Sequence, residues 1–320
     1  MKDLIIGITG STGYLGSNTV DFFKSKGCVI RCLVRNRASV RDSENVTYVE
    51  GDILEPETLN SFIENLDVCL HLAAFVGSAP WATYRKVNGE GTRNICSKII
   101  ELNPACRFVY CSSIAVLKRR KILRFVDTDY ARSKYLGQRY AEQARDRSGL
   151  KLTIVYSGMI YGANDKRFLP SLIKYLSMGK LILLSGGEKN SPLIYIDDLC
   201  ELFYRIAMSS SSVNRAYMGV NTEPAGIHDF FTLLAEKTGN PLPYKKLSKA
   251  IILIPAMIIE DIWQLLCLPG NPPLARRIAD VLSINLNHGK FNYKNNLNWV
   301  PEISMDEGLD RALRSICRRI

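Results

Sequence analysis

Residues 4–16 constrain the fold of this chain more than any other stretch. The apolar run Leu4-Ile5-Ile6-Gly7-Ile8 leads directly into Thr9-Gly10-Ser11-Thr12-Gly13-Tyr14-Leu15-Gly16, and a helical pattern follows from Asn18 to Lys26. A strand that feeds a glycine-rich turn and then a helix is the geometry that holds a dinucleotide. The first glycine allows the tight turn, the second lets backbone approach a pyrophosphate, and the third lets helix pack close to strand. The helix N-terminus then faces the phosphate charge. A glycine triplet alone says little; one with a strand before it and a helix after it says much more.

Strand and helix patterns keep alternating through the first half. Strands are expected at Cys28–Val34, Val46–Val49, Val68–Leu72, Arg107–Cys111 and Lys151–Val155. Helices are expected at Glu57–Asn65, Thr83–Leu102 and Tyr130–Arg147. The run Val68–Leu72 is apolar apart from His71, as in a parallel sheet covered on both faces. The alternation predicts an α/β fold with a Rossmann-type doubly wound parallel sheet over residues 1–162. Beyond that point helical stretches dominate, with short strands near Leu181–Leu184, Leu193–Ile196 and Ala216–Val220. Residues 163–320 therefore read as a smaller, mostly helical lobe for the substrate. The strand near 193–196 is expected to return to the main sheet.

Lys and Arg outnumber Asp and Glu by 42 to 31, a net charge of +11. Such a balance favours anionic partners: a phosphorylated cofactor, an acidic substrate or an anionic membrane surface. Nucleic acid is not expected, because no basic stretch is interleaved with stacking aromatics. Nine cysteines are dispersed without a Cys-x-x-Cys pair, which points to reduced thiols in the cytoplasm. Three histidines lie far apart, so no metal site is expected. Met1-Lys2-Asp3 leads straight into the first strand, and no signal peptide is expected.

Tyr130 and Lys134 stand at i and i+4, on one face of the expected helix. An ammonium beside a phenol favours phenolate and makes Tyr130 a candidate general acid or base. The helix follows a strand ending Tyr110-Cys111-Ser112-Ser113, whose hydroxyls would project from the sheet's carboxyl edge. Ligands of open α/β sheets bind at that edge.

Together these residues resemble the extended branch of the short-chain dehydrogenase/reductase superfamily, the NAD-dependent epimerase/dehydratase family. Thr9-Gly10-x-x-Gly13-x-x-Gly16 looks like its cofactor fingerprint, and Gly51-Asp52-Ile53 like its adenine-contacting turn. His71-Leu72-Ala73-Ala74 looks like the strand end along the cofactor, and Val87-Asn88-Gly89-Glu90-Gly91-Thr92 like its Asn-x-x-Gly-Thr helix. Ile160-Tyr161-Gly162 and Tyr195-Ile196-Asp197-Asp198 match two later landmarks. The resemblance implies that Tyr130 transfers the proton, Lys134 binds the nicotinamide ribose and tunes Tyr130, and Ser113 hydrogen-bonds the substrate oxygen. It implies cofactor contacts from Gly10, Thr12, Gly13, Tyr14, Leu15, Gly16, Asp52, Ile53, Leu72, Ala73, Ala74, Asn88, Tyr130 and Lys134. Ser112 is expected to be structural and His71 to be a packed sheet residue.

The second strand ends Leu33-Val34-Arg35-Asn36-Arg37, with no acid where a ribose 2′-hydroxyl would be held. Arginine there accommodates a 2′-phosphate, so the expected cofactor is NADP(H), with Arg35 on the phosphate and Arg37 also within reach. Four C-terminal segments resemble the 3β-hydroxysteroid dehydrogenase-like group: Asn271–Arg277, Phe291–Lys294, Leu297–Pro301 and Asp306–Leu309. Met159 and Ser191 stand where nucleotide-sugar enzymes usually carry Asn and Arg, which speaks against a sugar nucleotide. Tyr156-Ser157-Gly158 also departs from the Arg-Pro the family often has there. The expected substrate is a small hydrophobic molecule. The basic run Lys118–Lys121 with Arg124 reads first as a solvated charge run and second as a face for an anionic group on the substrate.

Residues 250–268 hold the apolar run Ala250–Ile259, preceded by Lys245, Lys246 and Lys249 and followed by Ile262–Leu268. The run is too short to span a bilayer, which needs about 20 apolar residues. Two readings stand: a buried helix lining a hydrophobic substrate pocket, or an interfacial segment with Trp263 as anchor and lysines on anionic headgroups. Three functions remain open: a Ser-Tyr-Lys oxidoreductase acting on carbonyls and secondary alcohols, an epimerase or dehydratase that retains its cofactor, and a non-catalytic cofactor-binding scaffold. A homodimer is an open assembly.

Overall fold

A computed structural model describes residues 4–77, 79–117, 128–184, 192–223, 225–243, 246–266, 268 and 296–317. It separates into two compact units. The first comprises the described residues of Met1–Ser157, Cys200–Gly219 and Tyr293–Trp299; the second, those of Gly158–Leu199, Val220–Asn292 and Val300–Ile320.

The first unit is built on seven parallel strands. They are β1 (Ile5–Thr9), β2 (Val29–Val34), β3 (Val46–Glu50), β4 (Val68–His71), β5 (Arg107–Ser113), β6 (Lys151–Ser157) and β10 (Ala216–Gly219). Their spatial order is β10-β6-β5-β4-β1-β2-β3, and every neighbouring pair is parallel. This is the expected doubly wound sheet, with the order reversing at β1. Four crossover helices matter for the site: α1 (Tyr14–Ser25), α3 (Trp81–Tyr84), α4 (Gly91–Leu102) and α6 (Asp129–Ser148), the last preceded by the short α5 (Ile114–Leu117). The central strands are covered on both faces, with β4 and all of β5 after Arg107 buried, whereas β3 at the sheet edge is partly exposed. One core joins Phe62, Ile95, Phe108 and Leu152 across strands and helices. Turn chemistry fixes the helix ends. Thr128 caps α6 by accepting the Ala131 N–H at 3.2 Å, and Gly149 closes it at φ +70, a left-handed conformation suited to glycine.

Two expectations need correction here. Leu193–Ile196 does not rejoin the main sheet: β9 (Leu193–Tyr195) pairs with β7 (Met159–Tyr161) in the second unit, and Ala216–Gly219 takes the edge place beside β6. Both runs are short and apolar, and periodicity does not name a strand's partner. The helix expected over Glu57–Asn65 is a 3₁₀ turn at Pro56–Leu59 followed by α2 (Asn60–Ile63).

The second unit holds two small parallel pairs, β7–β9 and β8 (Leu183–Leu184) with β11 (Lys246–Leu247). Around them lie α7 (Phe168–Ser177), α9 (Ile227–Thr238), α10 (Lys249–Leu265) and α11 (Met305–Cys317). Tyr161 packs edge-on against Tyr195 and Phe230, with centroids 5.5 and 5.0 Å away. α8 (Ile196–Met208) begins in this unit and ends in the first. At its start Asp198 accepts the N–H groups of Glu302 (2.9 Å) and Ile303 (3.2 Å). Burial nevertheless raises its carboxyl to about 6. No helix among the described residues is long and apolar enough to cross a membrane.

Candidate active site

The chain leaves β1 at Thr9 and turns at Gly10, whose φ is +72. A β-carbon at Gly10 would lie 2.7 Å from the Ala73 backbone, and one at Gly16 would collide with the Gly10 carbonyl. At Gly13 the nearest atom within reach is the Gly10 carbonyl oxygen at 3.3 Å. Two of the three glycines are thus required by the fold, and the middle one leaves backbone bare. Gly13 is the N-cap of α1, with no side-chain cap and no acid in the first turn. The helix presents its positive end there, a cradle suited to phosphate. Thr12 is exposed; Tyr14 and Leu15 are half-buried.

The two arginines after β2 differ. Arg37 is engaged locally: its guanidinium donates to the Val40 carbonyl (2.9 Å) and pairs with Asp42 (2.7 Å). Arg35 is exposed, and no described residue holds its side chain. Asp52 uses one carboxylate oxygen to accept the Leu54 N–H at 2.9 Å. Ile53 is buried, and its carbonyl accepts from Asn94 at 2.9 Å.

At the end of β4, His71 Nδ1 lies 2.8 Å from the Thr9 hydroxyl and Nε2 lies 3.0 Å from the Thr92 hydroxyl. Thr92 donates its own proton to the Asn88 carbonyl at 2.8 Å, so the proton on His71 belongs on Nε2 and Nδ1 accepts from Thr9. Burial, with the Lys134 charge second, lowers the imidazole to about 3. His71 is therefore a neutral bridge inside the sheet. The Thr9 hydroxyl also accepts the Ala73 N–H at 3.2 Å, which fixes the half-buried segment Leu72-Ala73-Ala74.

Asn88 lies in a π turn, Arg85–Glu90, that joins α3 to α4. Such turns are frequent at functional sites. The Asn88 side chain, expected among cofactor contacts, is buried and occupied. Its oxygen accepts the Phe75 N–H (2.7 Å), and its nitrogen donates to the Phe75 carbonyl (3.1 Å) and to Ser133 Oγ (2.8 Å). It clamps the segment after β4 to α6.

Period-two geometry turns Tyr110 and Ser112 of β5 toward α6. The Tyr110 hydroxyl donates to the Lys134 carbonyl at 2.9 Å, and Ser112 donates to Gln138 Oε1 at 2.8 Å. Ser112 is thus held within the protein. Ser113 ends the strand, buried, with its hydroxyl accepting the Ala115 N–H at 3.2 Å. Tyr130 occupies the first turn of α6, half-buried. Lys134, one turn on, is 3% exposed. Its ammonium lies 4.4 Å from the centre of the Tyr110 ring, a cation–π contact. Burial lowers this lysine to about 8, against a smaller opposing effect of Cys111.

Tyr110 and Gly137 are the residues that the motifs alone do not reveal. A β-carbon at Gly137 would collide with the Asn88 carbonyl and lie 2.6 Å from the Tyr110 hydroxyl. A glycine inside a helix, three residues after the lysine, is the signal of that close approach. The basic run 118–121 with Arg124, Ser191, and the segments 271–277 and 291–294 lie outside the described residues. Of the C-terminal landmarks, Trp299 and Leu309 are buried.

Known proteins resemble this chain in family and in fold. The family model described as NAD dependent epimerase/dehydratase family matches residues 6–218. The chain is similar to the 2-alkyl-3-oxoalkanoate reductase of Stenotrophomonas maltophilia, at 24% identity over 96% of this chain and 98% of that protein. It is also similar to 3beta-hydroxysteroid-dehydrogenase/decarboxylase isoform 1 of Arabidopsis thaliana, at 25% identity over 85% of this chain and 67% of that protein. Among solved structures, UDP-glucuronic acid 4-epimerase from Bacillus cereus in complex with NAD shares the fold. Its TM-score is 0.68 at 17% identity, covering 98% of this chain and 99% of that one.

Proposed function

The chain belongs to the NAD dependent epimerase/dehydratase family, within the extended short-chain dehydrogenases/reductases, and from that premise we propose that it is an NADP(H)-dependent oxidoreductase. It interconverts a carbonyl and a secondary alcohol on a small hydrophobic substrate. The observation that carries this reading is the sealed Lys134, its ammonium over Tyr110, one helical turn from Tyr130 at the carboxyl end of β5.

The residues present fit the cofactor: bare backbone at Gly13, the uncapped start of α1, and Arg35, which is free to meet a 2′-phosphate. When bound, the nicotinamide supplies hydride chemistry. The chain's own groups do the rest. Tyr130 gives a proton to the substrate oxygen in reduction and takes it back in oxidation. Ser113 donates a hydrogen bond to the same oxygen. Lys134 places a positive charge where water does not screen it, which favours the phenolate form of Tyr130. A positioned acid–base group of this kind contributes about 10²–10⁴-fold.

The substrate class follows the names of the relatives matched over most of this chain, a 3-oxoalkanoate reductase and a 3β-hydroxysteroid dehydrogenase. A second reading, an epimerase with retained cofactor, is favoured by the full-length likeness to the Bacillus cereus enzyme. It is weakened by Met159 and Ser191. The test is NADPH absorbance across a panel of carbonyls, from steroid-like ketones to short 3-oxo acids. Net consumption of NADPH with the hydrophobic members supports the reductase. A purified protein that retains its dinucleotide and turns over no member of the panel overturns it in favour of the epimerase.

A further inference from the structure

α10 is amphipathic in the unexpected direction. Ile251, Ile254, Ile258, Ile262, Leu265 and Leu266 follow helical spacing along one side and all face outward, from 48% exposed at Ile262 to 82% at Leu265. The opposite side holds Ala256, which is fully buried. At 1.5 Å per residue the stripe is about 22 Å long. The buried reading does not hold for these side chains, which no described residue covers. Trp263 is corrected as well: it is half-buried, with its indole nitrogen enclosed, and it is not the anchor.

We propose that this outward stripe is an interfacial docking face for an anionic lipid surface. A contiguous exposed aliphatic stripe on a helix needs an occupant. Its composition fits hydrocarbon better than protein, since the face carries no aromatic or arginine of the kind that anchors protein interfaces. The charge fits as well. Lys245, Lys246 and Lys249 precede the stripe in sequence, and the whole chain carries +11. An anionic bilayer attracts that charge and a second copy repels it. The helix lies along such a surface rather than through it, because it is too short and too interrupted by Glu260 and Asp261 to span. The inference does not depend on the substrate or on the active-site reading.

The test is flotation of the full chain with vesicles of phosphatidylserine and phosphatidylcholine in equal parts, against phosphatidylcholine alone, at low salt. The protein should float with the anionic vesicles only. Lys246→Glu with Lys249→Glu should lower that binding at least roughly tenfold. Ile254→Asp with Ile258→Asp should abolish it while thermal melting and NADPH turnover stay as in the wild type. Wild-type protein that never floats, or flotation that survives Ile254→Asp/Ile258→Asp, overturns the proposal. So does a large drop in melting temperature of that variant, which would place the stripe in the core. A wild-type dimer that the variant splits, without flotation, would give the face to a second copy instead.

Discussion

The two units place chemistry in opposite ways. In the first, polar groups lie deep inside, and His71, Asn88, Thr92, Ser112 and Gln138 all have hydrogen-bond partners. In the second, α10 turns its aliphatic residues to the outside. A satisfied polar interior costs stability but specifies one geometry. An exposed apolar face also costs solubility and is retained where something binds it. The contrast teaches that the sealed network is organised for positioning and the open stripe for contact.

The largest effect that sharpens this contrast concerns His71. Its folded pKa of about 3 lies below the ordinary 6.5. The unfolded chain therefore binds the extra proton first, and stability is lost as pH falls from 6.5 toward 3. The full shift corresponds to something on the order of 5 kcal/mol. Urea denaturation at several pH values should show this slope in the wild type and lose His71's share of it in His71→Asn. An identical slope in both would mean that His71 is not held neutral.

Next comes Lys134. Burial lowers it from 10.5 to about 8, so the protonated lysine destabilises the fold below pH 8, and stability recovers as pH rises from 8 to 10.5. Lys134→Met should be inactive yet more stable than the wild type at neutral pH, by on the order of 3 kcal/mol. The gap should close above pH 10. A variant that is less stable at pH 7 would mean that the charge is structural rather than kept for function.

Smaller again is Arg35→Ala. NADPH should bind more tightly than NADH, and the variant should lose about 1.5–3 kcal/mol of NADPH affinity, roughly one to two decades, with NADH unchanged. Equilibrium titration of both cofactors checks it. Equal binding of the two by the wild type would remove Arg35 from the site. The smallest effect belongs to the other region: Ile254→Asp with Ile258→Asp should shift stability by no more than about 0.5 kcal/mol. The same pair of acids buried in the first unit's core would unfold it.

How far the sequence reaches follows the same divide. The glycine turn, the β4 end, and the placement of Ser113 at a strand end and of Tyr130 and Lys134 on one helix are legible because each depends on local backbone geometry and a fixed spacing. The partner of Leu193–Tyr195 was not, because parallel pairing is set by distant chain. The occupation of Asn88 was not legible either, since its acceptors come from Phe75 and Ser133 on other elements. The outward face of α10 was hidden for a related reason. A continuously apolar run gives its helix but not which side is covered.

Tyr130 is the group proposed to move the proton. The most direct measurement is NADPH-dependent reduction of a hydrophobic 3-oxo acid by the wild type and by Tyr130→Phe, alongside NADPH titration and thermal melting of both. The substitution removes one hydroxyl and keeps the ring. The predicted result is a fall in turnover of about 10²–10⁴-fold with cofactor affinity and melting unchanged. A Tyr130→Phe protein that keeps most of its activity would contradict the account.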